Sequence, residues 1–284
     1  ERGLPTWRTS CSKAFLKKTD MKTFPPLSLG YSPCPNDTYI FNALVHGHTQ
    51  CSGLLFAAPR LEDVETLNQW ALAGQLDVTK VSFHAYGHLR NAYDLLPAGA
   101  ALGRGCGPLL ITTPDKRKKT QKDWKIAIPG KYTTAALLLR LYNPSATNLV
   151  VMRFEEIMGA VCQGMVDAGV IIHESRFTYQ KHRLDCVQDL GEWWEQETDL
   201  PIPLGCIVMK KHFPKDMREG VAAVIKQSIL WADAHPHEVL PYISQHAQEM
   251  TPEVMRSHIA LYVNEFSKDL GNEGERAIHE LLLR

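Results

Sequence analysis

Asp167-Ala-Gly-Val-Ile-Ile-His173-Glu-Ser-Arg176 is the stretch on which the fold turns. Gly169 to Ile172 is apolar without alternation, which suits a strand covered on both faces. Such strands sit in sheets flanked by helices. The run then ends abruptly on an imidazole, a carboxylate, a hydroxyl and a guanidinium. On either side of it the same rhythm repeats. Segments 27–32, 54–58, 77–83, 107–113, 125–129, 149–153 and 169–173 read as strands. Helical periodicity falls between them at 37–46, 63–75, from 83 through 93, 133–142 and 154–163. Strands alternating with helices of this size make the fold class α/β. From Pro214 onward the pattern is helical, at 217–234, 236–248, 252–266 and 273–284, with Pro236 and Pro252 in first turns that tolerate proline.

The chain has 284 residues, room for one large domain or two lobes. Its 31 basic and 31 acidic residues balance, so it lacks the basic field of a general nucleic-acid or membrane-surface binder. Residues 1–20 hold five of the basic and two of the acidic residues, leaving 26 basic against 29 acidic beyond them. They carry no apolar core of a secretory signal and read as a disordered extension ahead of a start at Met21. The seven cysteines are widely spaced, with no C-x-x-C pair, which fits a reducing cytoplasm better than a disulfide framework. His46/His48 and His235/His237 lack any supporting ligand pattern, so no metal site is read. Lys116-Arg117-Lys118-Lys119 reads as a solvated loop joining two halves, since no aromatic residues interleave it.

In open α/β sheets, ligands bind beyond the carboxyl ends of the strands. Four such ends carry unusual residues. In Ser32-Pro-Cys-Pro-Asn36-Asp37-Thr38 two prolines stiffen the turn, and Asn36 or Asp37 can cap the following helix. Cys34 has no basic sequence neighbour that would activate it. In Thr79-Lys80-Val81-Ser82, Lys80 and Ser82 share one strand face. Lys80 is either an edge residue or a carboxylate ligand. Its removal, or that of Ser82, is expected to weaken binding more than folding. In Pro129-Gly-Lys-Tyr-Thr133-Thr134-Ala135 a glycine turn leads into a helix start, whose free N–H groups can hold an anion. Thr133 alone as an N-cap is the plainer reading. His173 is either a core histidine or a base, since imidazole titrates near neutrality.

These motifs carry a resemblance. Ser32-Pro-Cys-Pro-Asn-Asp-Thr-Tyr-Ile-Phe, Leu61-Glu-Asp-Val-Glu-Thr-Leu-Asn, Ala101-Leu-Gly-Arg-Gly-Cys-Gly-Pro, Pro129-Gly-Lys-Tyr-Thr-Thr-Ala and Gly169-Val-Ile-Ile-His-Glu-Ser-Arg-Phe-Thr-Tyr resemble, in order, the 1,4-dihydroxy-6-naphthoate synthases of the futalosine route to menaquinone. The resemblance runs from about Leu27 to the C-terminus. It implies a two-lobed, type II periplasmic-binding-protein-like fold with a ligand cleft between the lobes. The expected division is 21–112 and 205–284 in lobe 1, the latter with the C-terminal helices, and 113–204 in lobe 2. The implied activity is a cofactor-independent lyase acting on cyclic dehypoxanthine futalosine, an anionic, nucleoside-derived small molecule, in the cytoplasm. His173 would be the proton acceptor. Lys80, Val81 and Ser82, and Thr133, Thr134 and Ala135, would contact substrate, with Asn36 and Asp37 lining the same cleft. No nucleic acid, membrane, metal or cofactor partner is implied, and the assembly is a monomer or homodimer. A non-catalytic solute-binding protein and a sibling pathway enzyme on the same fold are the alternatives.

Overall fold

A computed structural model describes residues 25–284 apart from 52, 118–122 and 248–250. The extension read at 1–20 lies outside the described residues.

The first sheet grows from β1 (Leu29–Tyr31), which is followed by α1 (Pro35–Val45), β2 (Arg60–Leu61), α2 (Val64–Leu72), β3 (Val78–Ser82), α3 (Phe83–Leu89), β4 (Tyr93–Leu95) and β5 (Ala101–Gly103). The chain then enters a second sheet through β6 (Leu109–Thr112), a single helical turn α4 (Pro114–Arg117), β7 (Ile126–Ile128), α5 (Thr134–Tyr142), β8 (Leu149–Val151), α6 (Phe154–Cys162) and β9 (Ala168–Ile171). α7 (Ser175–Thr178), β10 (Asp185–Asp189) and α8 (Leu190–Thr198) complete that half. β11 (Ile202–Lys210) returns to the first sheet, and α9 (Lys215–Ala234), α10 (Pro236–His246), α11 (Pro252–Tyr262), α12 (Glu265–Lys268) and α13 (Gly271–Leu283) follow.

The strand orders are β2-β1-β3-β11-β4, with β5 also on β11, and β10-β6-β9-β7-β8. β1 pairs in parallel with β2 and β3, whereas β11 runs antiparallel to β3, β4 and β5. Two sheets with helices against them make this an α/β fold of two lobes, the architecture that the resemblance implied. Leu29, Tyr31, Val78, Ile207 and Met209 pack with Ile40 and Phe41 of α1 and Val221 and Ile225 of α9 on one side of the first sheet. Ile111, Ala127 and Ile171 pack on Ile157 and Val161 of α6 in the second lobe. The largest apolar cluster is shared, joining Val81 and Cys206 to Ile128, Leu138, Val170 and Trp194.

Several elements differ from the sequence reading. β11 sits at the centre of the first sheet yet carried no strand assignment. Pro203 and Gly205 break its apolar pattern, and the structure absorbs them in a register shift against β5. The helix read through Tyr93 stops at Leu89, and Tyr93 begins β4 with its hydroxyl donating to the Leu76 carbonyl at 2.7 Å. The strand read at 54–58 is reduced to a single bridge at Phe56, with β2 forming after Pro59. The helix read over 252–266 ends at Tyr262, because Asn264 and Ser267 form a capping box that starts α12. Lys116 and Arg117 lie in α4 rather than in a loop, while Lys118 and Lys119 fall outside the described residues. β6 belongs wholly to the second sheet and β11 begins at Ile202. The chain therefore crosses between lobes before the boundary read at 112/113, and returns just ahead of 205.

Candidate active site

The carboxyl ends of β1, β3 and β9 and the N-terminus of α5 face one cavity of about 650 Å³ including its open mouth. Its lining includes Asn36, Asp37, Lys80, Val81, Ser82, Thr133, Thr134, Ala135 and His173, the residues that the resemblance assigned to the cleft.

The first wall is built by α1. Cys34 is its N-cap but offers no side-chain hydrogen bond, and Pro35 occupies the first turn. Asn36 and Asp37 do not cap the helix through their side chains, as the sequence allowed; they turn to other partners. Asp37 accepts from Lys80 Nζ at 2.7 Å, from Asn36 Nδ2 at 2.9 Å and from the Ser32 N–H at 3.2 Å. Lys80 also donates to the Gly99 carbonyl at 3.0 Å. Its side chain is 5 % exposed and that of Asp37 3 %. Lys80 is thus neither an edge lysine nor a free cation: its charge is already met inside the protein. Gly205 on β11 makes room for it, since a Cβ there would sit 3.2 Å from Lys80 Cε. Beside it, Ser82 is held by Asn68, which accepts from the Ser82 N–H at 2.8 Å and donates to its hydroxyl at 3.2 Å.

The second wall belongs to α5. Thr133 is its N-cap, accepting from the Ala136 N–H at 3.2 Å and donating to the Gly130 carbonyl at 2.8 Å. The Thr134 hydroxyl donates to the Leu204 carbonyl at 2.8 Å. The N–H groups of Thr134 and Ala135, the positive end of the helix, have no partner among the described residues. Glu65 on α2 fixes the approach to this helix. Its carboxylate accepts from the backbone N–H groups of Lys131 at 3.0 Å and Tyr132 at 3.1 Å. Gly130 is obligatory beneath it, because a Cβ would lie 2.4 Å from Glu65 Oε2. A carboxylate from one lobe therefore pins the turn that presents the helix start of the other.

His173 follows β9 with φ of 56°, a left-handed conformation that costs a non-glycine residue about 1–3 kcal/mol. That turn swings the imidazole from the sheet toward the cavity. The edge of Phe154 meets the ring at 5.1 Å between centroids. The ring nitrogens have no hydrogen-bond partner among the described residues. Burial lowers the pKa to about 4, with Lys80 adding to that effect and Asp37 opposing it. The ring is therefore neutral at pH 7, an unoccupied proton acceptor.

Sequence reasoning missed the contribution of the returning chain. Leu204 and Gly205 of β11 and Tyr262 of α11 also line the cavity. Behind Tyr262, His258 is fully buried, and its ring lies parallel to that of His173 at 6.0 Å between centroids. No local motif marks them; the i, i+4 spacing on an amphipathic helix was the only available signal. Cys34 is buried, with its thiol pKa pushed up by desolvation, so it is no nucleophile. Among the described residues no group of three His, Cys, Asp or Glu side chains could hold a metal ion, and no helix is long and apolar enough to cross a membrane.

With this geometry in hand, the comparisons with known proteins bear on one family. Residues 27–284 match the family model described as menaquinone biosynthesis. A Thermus thermophilus protein named 1,4-dihydroxy-6-naphthoate synthase is 47% identical over 255 residues, spanning 90% of this chain and 92% of the relative. One of the same name from Streptomyces coelicolor is 44% identical, spanning 91% and 92%. Among solved structures, an Archaeoglobus fulgidus protein aligns with TM-score 0.83 at 32% identity over 90% of this chain and 95% of its own. A Candida albicans protein described as having the generic periplasmic binding protein fold aligns with TM-score 0.62 at 16% identity, over 92% and 90%, a likeness of fold alone.

Proposed function

The chain belongs to the menaquinone-biosynthesis family, with curated relatives that are 1,4-dihydroxy-6-naphthoate synthases, and on that premise we propose that it is a carbon–carbon lyase. It converts cyclic dehypoxanthine futalosine to 1,4-dihydroxy-6-naphthoate and a sugar-derived fragment without a cofactor, His173 serving as the general base. The observation that carries this reading is a neutral imidazole, without a hydrogen bond among the described residues, in a cavity it shares with a helix N-terminus.

The chemistry needs little more. A proton must leave a carbon next to a carbonyl or hydroxyl-bearing carbon, and the sugar fragment must depart as the second ring becomes aromatic. Aromatisation supplies the driving force, and a positioned base adds about 10²–10⁴ in rate. The N–H groups at Thr134 and Ala135 suit the substrate carboxylate or a developing oxyanion. Ser82, oriented by Asn68, offers a hydroxyl. Lys80 enters differently from the sequence expectation. Two of its three N–H donors are spent on Asp37 and Gly99, so it contributes one remaining donor and the shape of the wall rather than a net charge. The substrate sits in the crevice between lobes, where enclosure excludes water and orients the reacting carbon.

The test is incubation with cyclic dehypoxanthine futalosine, following naphthoate release by absorbance and mass. Turnover by the wild type, and its loss in His173→Ala with binding largely kept, is the expected pair of results. Substrate that binds but is returned unchanged would make this a binding protein instead. A near-wild-type kcat in His173→Ala would remove His173 from the chemistry.

A further inference from the structure

α11 contributes more than a lining residue. His258 Nε2 lies 3.0 Å from Asn36 Oδ1. The Asn36 amino group already donates to Asp37 Oδ1 at 2.9 Å, so its carbonyl oxygen is the atom facing His258. A carbonyl cannot donate, so the hydrogen must sit on His258 Nε2, and the tautomer is fixed by the network. Nδ1 is consequently a bare lone pair, and it is buried with no hydrogen-bond partner among the described residues. An unmet buried acceptor costs about 1–3 kcal/mol, which an apolar ring would have avoided. What the imidazole supplies in return is a donor on one edge and a flat face on the other side. The edge holds Asn36, and through it Asp37 and Lys80. The face lies parallel to His173, within 11° at 6.0 Å between centroids, while Phe154 meets the same ring at 65°. Among the described residues the His173 ring has no hydrogen bond, and the rings of Phe154 and His258 stand beside it.

We propose that His258 is the positioning residue of this active site, orienting the His173 ring with its face and the Asn36–Asp37–Lys80 wall with its Nε2–H. The proposal rests on His173 being the base. Phenylalanine would keep the face and lose the donor; glutamine would keep a donor and lose the face. A second neutral ring, rather than a charged group, also leaves His173 uncharged. Burial and the adjacent His173 push the His258 pKa well below the usual histidine value.

The experiment compares His258→Gln, His258→Phe and His173→Ala with the wild type for kcat and KM on cyclic dehypoxanthine futalosine, with thermal unfolding as the control for folding. Since a misplacement of 1 Å can cost about 10²-fold in rate, His258→Gln should lose at least about tenfold in kcat with KM changed less than about threefold. His258→Phe should show the opposite split, with KM raised more than kcat is lowered. In ¹⁵N-histidine spectra of the wild type, His258 should carry its proton on Nε2. Wild-type kcat in His258→Gln beside an inactive His173→Ala overturns this proposal alone. Parallel losses in both His258 variants that simply track their stability overturn it too, as does a proton found on Nδ1. An active His173→Ala overturns the base assignment, and the positioning role falls with it.

Discussion

Replacing Lys80 by methionine should destabilise the protein severely. The pair with Asp37 is 2.7 Å long, and both side chains are at most 5 % exposed. Removing one partner of such a pair leaves an uncompensated buried charge, at a cost of about 3–5 kcal/mol. Among the described residues Asp37 would keep Asn36 Nδ2 and the Ser32 N–H as donors, and the Gly99 carbonyl would lose its lysine donor. Against a total stability of about 5–15 kcal/mol, that is a large fraction. At about 2–4 °C per kcal/mol for a chain of this order of size, Tm should fall by roughly 6–20 °C. The double variant Lys80→Met/Asp37→Asn removes both charges and should recover much of the loss. Urea titrations followed by circular dichroism would give the three free energies and their coupling. A single variant costing less than about 1 kcal/mol, or a double variant no more stable than Lys80→Met, would refute the argument. The sequence alone predicted the reverse order, with binding harmed more than folding, because a lysine on a strand gives no hint of a carboxylate on the opposite helix.

Glu65→Gln would keep one acceptor oxygen for the Lys131 N–H but set an amide NH₂ where Oε2 accepts from the Tyr132 N–H and Asn68 Nδ2, at about 1–3 kcal/mol; it should raise KM, and an unchanged KM and unfolding midpoint would rule out the pinning role. Gly130→Ala, with its Cβ 2.4 Å from the Glu65 carboxylate, should disturb the same turn, and suppression of its defect by Glu65→Ala would identify the clash. The His173 pKa, lowered to about 4, places the acid limb of kcat/KM near pH 4, and a limb at 6.5 would contradict it. His173 and His258 are both held neutral by burial, so the unfolded chain binds more protons below about pH 6.5 and stability falls as pH drops toward 4. Between pH 7.5 and 5, His258→Phe should therefore lose less stability than the wild type, by urea midpoint; equal losses would sink the assignment.

The four strand ends were legible because each pairs an apolar run with an abrupt polar stop; two of them belong to the first sheet and two to the second, and they face one cavity. Thr133 as a cap could be read from its place between a glycine turn and an apolar helix. β11 was hidden by Pro203 and Gly205, residues that ordinarily argue against a central strand. The glycine is nonetheless what admits the Lys80 side chain.

By itself, then, the sequence determined the α/β class, the family, and the cavity residues that stand at strand ends and at the start of α5, but not Leu204, Gly205 and Tyr262 of the returning chain. Periodicity and short motifs are local properties, written into neighbouring residues. Which partners those residues meet was decided only in three dimensions. Lys80 is neutralised by Asp37, 43 positions away. Glu65 pins Lys131 from 66 positions away, and His258 reaches Asn36 across 222. Contacts at such separations leave no local pattern. They arise because β11 carries the chain back into the first sheet and sets α11 behind the wall that His173 faces.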